Sequence, residues 1–259
     1  MVLRPGLRGT LDEAPLTDDR FKRYQSLAAR LNYYSLDRPD LQYSVKELMR
    51  KLSCPSEDDW IRLKRVTRYL LTAPRMVTNY PWKPLEKVIT VYADADHAGC
   101  HRSRKSTMGG AITWGTKFLK AWSRTIHLIA LSSGESELAA VTKAAAEGLG
   151  VQAILMDFGF KAKLEIHSDA TAAIGMCKRQ GFGRVRHLAT ADLWMQQRIK
   201  LKHFALFKLP GTMNPSDLMT KHKSRPEIER FLTMLGISPE TGRSQLAPAR
   251  NISLAARPM

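Results

Sequence analysis

The stretch KVITVYADADHAG, Lys87 to Gly99, constrains the fold of this chain more than any other. Val88, Thr90, Tyr92 and Asp94 share one face of an extended strand, and Ile89, Val91 and Ala93 share the other. Both faces stay largely apolar until Asp94, so the strand belongs inside a sheet and ends in a carboxylate. A buried carboxylate is costly unless a cation meets it, and oxygen-ligated Mg²⁺ or Mn²⁺ is the usual choice. An aspartate that merely opens a turn fits the same local pattern.

Ahead of this strand the period is helical. Residues 1–20 carry Pro5, Gly6, Gly9 and Pro15 with few large apolar side chains, so an irregular lead-in is expected. Two helices, about Phe21 to Tyr34 and Leu41 to Leu52, flank Arg38-Pro39-Asp40, where Pro39 disfavours helix at the preceding residue and Asp40 can cap the next one. Ser56 opens a third helix with Asp59 near its N3 position, and Trp60, Leu63, Val66 and Leu70 face inward. Arg62, Arg65 and Arg68 run beside that apolar face. On a helix such a stripe is ordinarily a solvated surface.

From Lys87 onward alternation replaces the helical period. Gly109 to Trp114 and Lys117 to Ser123 read as two strands joined at Gly115-Thr116, a pair suited to a tight type II′ hairpin. Ser132 and Glu135 then form an S-x-x-E capping box. Glu135 and Glu137 are ~200° apart on a helix, so both cannot face one site, and the cap leaves Glu137 as the candidate. The apolar run Leu138 to Phe160 is interrupted by Lys143, Glu147 and Asp157, which suits a core helix better than a membrane span. Leu164 to Ser168 makes a further strand, and Asp169 at its end equally suits the N-cap of the helix through Ala172, Ala173 and Met176. A helix from Leu188 to Ile199 and a strand from His203 to Leu209 follow. Asn214, Pro215 and Asp217 then match a plain helix start. Pro226 to Leu235 reads as a short helix ended by Gly236, and Ile237 to Met259, with three prolines and three arginines, is expected to be disordered.

Charge narrows the function classes. Against 24 Asp and Glu stand 41 Lys and Arg, a net +17 with pI near 10.0, which favours a polyanionic partner. Cys54, Cys100 and Cys177 lack the paired spacing of a zinc site or disulfide framework and are read as reduced thiols.

The phrases YADADHAG, RKSTMGG, ALSSGESELAA, IHSDATAAI, VRHLA and NPSDLMTK set Asp94, Glu137, Asp169 and Asp217 in order, spaced by 43, 32 and 48 residues. This ordered set resembles the ribonuclease H domain of copia-type LTR retrotransposon Pol polyproteins, over roughly Arg20 to His222. The helices ahead of it look like the thumb and connection region of the reverse transcriptase. The resemblance implies an α/β protein: a ribonuclease H-like mixed five-stranded sheet flanked by helices and preceded by a small helical domain. The expected division is a lead-in at residues 1–20, a helical region at 21–85, the ribonuclease H-like domain at 86–223, and a short helix with a disordered basic tail at 224–259. It also implies that Asp94, Glu137, Asp169 and Asp217 are catalytic and hold two Mg²⁺ ions, with Mn²⁺ as a substitute. Arg62, Arg65, Arg68, Arg104, Lys105 and Arg186 are then the expected nucleic-acid contacts. The expected partners are an RNA–DNA hybrid and the rest of a Pol polyprotein, with no membrane. The expected location is a cytoplasmic element particle, or the nucleus.

Two features depart from a complete reverse transcriptase. No apolar strand carries a Tyr-x-Asp-Asp pair, since Asp18-Asp19 and Asp58-Asp59 lie outside any strand, so DNA synthesis by this chain alone is not expected. The segment Pro210 to Ser216 also lacks the histidine that cellular and many retroviral ribonucleases H carry before the last acid, which implies slower turnover, with His187 and His222 as candidate substitutes. A non-catalytic nucleic-acid-binding remnant keeps the same fold and charge. An integrase or transposase shares the fold but ordinarily has three acids and different phrases.

Overall fold

The computed structural model describes residues 14–84, 86–100, 103–127, 129–179 and 190–242. Three helices come first: α1 (Asp18–Tyr34), α2 (Pro39–Met49) and α3 (Glu57–Thr72). Pro39 occupies the first turn of α2, where its missing N–H costs nothing, and Ser56 caps α3 in the anticipated box with Asp59. The apolar faces meet around Tyr24, Ala28, Leu41, Val45, Leu48 and Leu63. The buried Arg38 donates to Asp40 at 2.9 and 2.7 Å, and Tyr69 of α3 donates to the same carboxylate at 2.8 Å, so this buried charge is fully partnered.

β1 (Arg75–Thr78) leads to β2 (Val88–Asp96), β3 (Thr107–Trp114) and β4 (Lys117–Thr125), the last two joined at Gly115, whose φ is +58°. α4 (Ser133–Asp157), β5 (Lys163–Ser168), α5 (Thr171–Lys178), α6 (Thr190–Lys200) and β6 (Ala205–Lys208) follow. The chain then makes two 3₁₀ turns, Gly211–Met213 and Pro215–Met219, before α7 (Arg225–Met234) and β7 (Ile237–Glu240). One sheet has the order β4-β3-β2-β5-β6, antiparallel from β4 to β2 and parallel from β2 to β6. This is the ribonuclease H-like mixed five-stranded sheet, with β2 at its centre.

α4 is long and apolar enough to cross a membrane by length and composition. Its Leu138, Val141, Ala144 and Ala145 are buried against Ile89, Val91, Ala93 and Ile166, and Gly148 meets Leu164 and Val91 where a Cβ would lie within 2.9 Å of both side chains. α7 and its C-cap Leu235 cover the opposite face, with Phe231, Leu232 and Leu235 buried against Ala111, Phe118 and Leu218.

Several expectations need correction. Ile237–Glu240 is not disordered but forms β7, antiparallel to β1, pairing Thr78 with Ile237 and Arg75 with Glu240. Gly236, at φ +70°, turns the chain back toward β1, and Asn79 N–H donates to the Gly236 carbonyl at 2.9 Å. Asp217 lies in a 3₁₀ turn rather than an α-helix, and Ala170, not Asp169, takes the N-cap position of α5. The expected basic tail beyond residue 242, most of the lead-in, Arg186 and His187 lie outside the described residues.

Candidate active site

β5 pairs with β2 only as far as Tyr92 opposite His167, whereas β3 pairs with β2 on to Asp96. The last turn of strand β2 therefore has an open side where two parallel strands diverge, the kind of crevice that α/β sheets use for ligands. Asp94 sits at that opening and is 2% exposed, while Asp169 follows the end of β5.

α4 brings Glu137 to the same place. Ser132 accepts from the Glu135 N–H at 3.3 Å, and Glu135 in turn accepts from the Leu131 N–H at 2.9 Å and the Ser132 hydroxyl at 3.2 Å. Glu135 is thus committed to the helix start, and Glu137 faces the sheet. One oxygen each from Asp94, Glu137 and Asp169 lies within 4.8 Å of the other two.

Crowding shows in the proton affinities. Burial, less the attraction of Lys221 and augmented by Asp217, pushes Asp94 up to about 7. Burial and the charges of Asp94 and Asp169 push Glu137 up to about 8. Glu137 Oε2 is buried with no hydrogen-bond partner among the described residues. Three converging carboxylates and an orphaned oxygen are a donor set that fits a hard divalent cation, so this triad could hold a metal ion.

Asp217 lies outside that cluster but shares a side-chain hydrogen bond with Asp94. Its Oδ1 is 2.7 Å from Lys221 Nζ and its Oδ2 is 2.6 Å from Lys223 Nζ. Burial alone would raise its pKa, but these hydrogen bonds outweigh burial and hold Asp217 below the usual carboxylate range. Lys221 Nζ also lies 3.8 Å from Asp94 Oδ2, so one ammonium links the fourth acid to the first.

Neighbouring residues orient the acids. The Thr220 hydroxyl donates to Asp94 Oδ2. Asn214, fully buried, donates through Nδ2 to the Ala93 carbonyl at 3.0 Å and to Asp169 Oδ1 at 3.4 Å. Gly109 is paired with Asp94, and a Cβ there would lie 2.7 Å from Met219 Cβ and 2.8 Å from Thr220 Cγ2. Glycine at this position lets the 3₁₀ turn close onto β3 and deliver Thr220 to Asp94. Gly211 acts similarly beside Asp169, whose Oδ2 would be 2.8 Å from an added Cβ. The roles of Thr220, Lys221 and Lys223 were missed in the sequence, although the first two stand in the phrase NPSDLMTK that singled out Asp217.

The expected nucleic-acid contacts fare unequally. Arg62 is engaged by Asp58 at 2.6 Å and lies 3.7 Å from Asp59. Arg65 and Arg68 form no ion pair among the described residues, and Arg68 is exposed. Arg104 is exposed in the loop between β2 and β3, with φ +54°, and Lys105 beside it is half-buried. His222 packs edge-on against Tyr43 of α2 with ring centroids 4.8 Å apart.

No protein-family model matches the chain. It is 26% identical over 224 residues to the retrovirus-related Pol polyprotein from transposon TNT 1-94 of Nicotiana tabacum, an alignment covering 83% of this chain and 16% of that polyprotein. Against the Pol polyprotein from transposon RE2 of Arabidopsis thaliana the identity is 26% over 217 residues, covering 83% and 15%. The chain thus spans about one sixth of the length of these curated relatives. Among solved structures, foamy viral protease-reverse transcriptase dRH in complex with double-stranded DNA aligns with a TM-score of 0.52 and 15% identity, over 75% of this chain and 36% of that one.

Proposed function

We propose that this chain, which is similar over 83% of its length to retrotransposon Pol polyproteins, is a metal-dependent ribonuclease H that hydrolyses the RNA strand of RNA–DNA hybrids. The observation that carries this reading is the convergence of Asp94, Glu137 and Asp169 within 4.8 Å where β2 and β5 part. Asp94, Glu137 and Asp169, with Asp217 at the edge, would hold two divalent ions, Mg²⁺ with Mn²⁺ as a substitute. Bound there, such ions activate a water and stabilise the leaving 3′ oxygen of a phosphodiester.

The chain's own residues prepare that site. Thr220 and Asn214 fix the rotamers of Asp94 and Asp169, so the ligand oxygens are preorganised. Burial and mutual repulsion raise the proton affinity of Asp94 and Glu137, so a cation bound there would compete with protons. Arg65, Arg68, Arg104 and Lys105 are the cationic candidates for the backbone phosphates of the hybrid, recognised by shape and 2′-hydroxyls more than by sequence. The rest of a Pol polyprotein is the natural companion in polymerisation, since this chain carries no Tyr-x-Asp-Asp pair.

The test is cleavage of an end-labelled RNA–DNA hybrid by the purified chain with Mg²⁺, beside single-stranded RNA and duplex DNA. Selective scission of the RNA strand, abolished by chelator and by Asp94→Asn, is the expected result. Tight binding of the hybrid with no scission in Mg²⁺ or Mn²⁺ would replace this reading with that of a non-catalytic nucleic-acid-binding remnant.

A further inference from the structure

Lys221 supplies this site with a cation from within the chain. Its Nζ lies 2.7 Å from Asp217 Oδ1 and 3.8 Å from Asp94 Oδ2, and its charge is felt by Glu137 and Asp96 as well. The side chain is 43% exposed, so the ammonium enters from the solvent side.

Lys223 holds the other oxygen of Asp217 in a different way. It is 11% exposed, lies 2.6 Å from Asp217 Oδ2 and 3.5 Å from Glu227 Oε1, and packs its ammonium 5.5 Å from the centre of the Phe231 ring. Glu227 accepts from the Ser224 N–H at 2.8 Å and the Ser224 hydroxyl at 2.6 Å, so Lys223 is anchored to the start of α7. Of the two lysines on Asp217, only Lys221 has both a path to solvent and a reach to Asp94.

A divalent ion bridging Asp94 and Asp217 needs the oxygens that Lys221 now faces, and two cations cannot share them without repulsion. On the nuclease reading above, we propose that Lys221 holds the place of the second divalent ion. Asp94, Glu137 and Asp169 would hold the first ion, and Asp94 with Asp217 would hold a second only once Lys221 had moved outward. Lys221 is in this sense a positioning residue that sets cation occupancy, while Lys223 keeps Asp217 in place throughout.

The experiment is a Mn²⁺ titration of the full chain without nucleic acid, followed by calorimetry, with bound ion counted by electron paramagnetic resonance. Wild type should show one tighter and one weaker step. Lys221→Met, which keeps the stem and removes the charge, should tighten the weaker step by about tenfold to 100-fold and leave the tighter one nearly unchanged. Lys221→Arg should keep the second step weak. Lys221→Gln serves as a second neutral variant, and circular dichroism with a urea midpoint shows which variants are folded. Two equivalent ions on wild type, or identical titrations for wild type and both neutral variants, would overturn the proposal while leaving the metal site standing. No Mn²⁺ bound by wild type would overturn the metal reading and this proposal with it.

Discussion

Replacing Glu137 with glutamine removes a charge from the most crowded part of the site while keeping its shape, and the consequence should appear in stability before it appears in catalysis. Burial and the neighbouring acids raise Glu137 from 4.5 to about 8. For an acid raised in the folded state, the fold binds more protons than the unfolded chain between those two values, so stability falls as pH rises through that window. Each pH unit inside it costs about 1.4 kcal/mol per group. From about pH 5 to about pH 8 the metal-free wild type should thus lose at most about 4 kcal/mol through Glu137, and less because water reaches the cleft. Asp94, raised to about 7, adds a loss of the same sign that ends earlier. Glu137→Gln should match wild type near pH 5 and exceed it progressively toward pH 8. Urea unfolding followed by tryptophan fluorescence in chelator measures this. Saturating Mg²⁺ should reverse the order, since only wild type gains the full binding energy of the ion. Parallel pH profiles for the two proteins in chelator would refute the account of a site held together by cations.

Three further outcomes are expected. Asp94→Asn should abolish hybrid cleavage while hybrid affinity in chelator is kept, whereas Asp217→Asn should leave residual cleavage that excess Mn²⁺ partly restores; initial rates across a metal titration decide between them. Gly109→Ala should destabilise the chain by about 1 to 3 kcal/mol, because the new Cβ meets Met219 and Thr220 at under 3 Å; the urea midpoint reads the first effect and weaker Mn²⁺ binding the displacement of Thr220. Replacing Arg65 and Arg68 together with alanine should lower the log–log salt slope of hybrid binding by about two, while Arg62→Ala alone should change it little because Asp58 and Asp59 already engage that guanidinium; fluorescence anisotropy at several salt concentrations measures both.

What could be read in the sequence was what local periodicity and capping control. Asp94 stood out because an apolar strand ran straight into it, and Glu137 was separated from Glu135 because Ser132 claimed the latter. The pairing of Arg62 with Asp58 is an i,i+4 contact and was open to the same local logic. Lys221 and Lys223 were a different matter. Their importance depends on Asp94 lying more than a hundred positions earlier, and on a turn that is 3₁₀ rather than α-helical, which swings the residues after Asp217 back into the site. β1 and β7 were invisible for the same reason. Each is four residues long, and each becomes a strand only because the other is there.

That pairing carries a consequence for how the molecule is made. β1 lies ahead of the five-stranded sheet and β7 behind it, so their ladder closes over every element from β2 to α7. During synthesis from the N-terminus, β1 leaves the ribosome with its backbone donors and acceptors unmatched and stays so until Ile237–Glu240 has followed. A nascent chain stalled before that point presents a bare edge ready to pair with a neighbour, and the last few residues of β7 are what withdraw it.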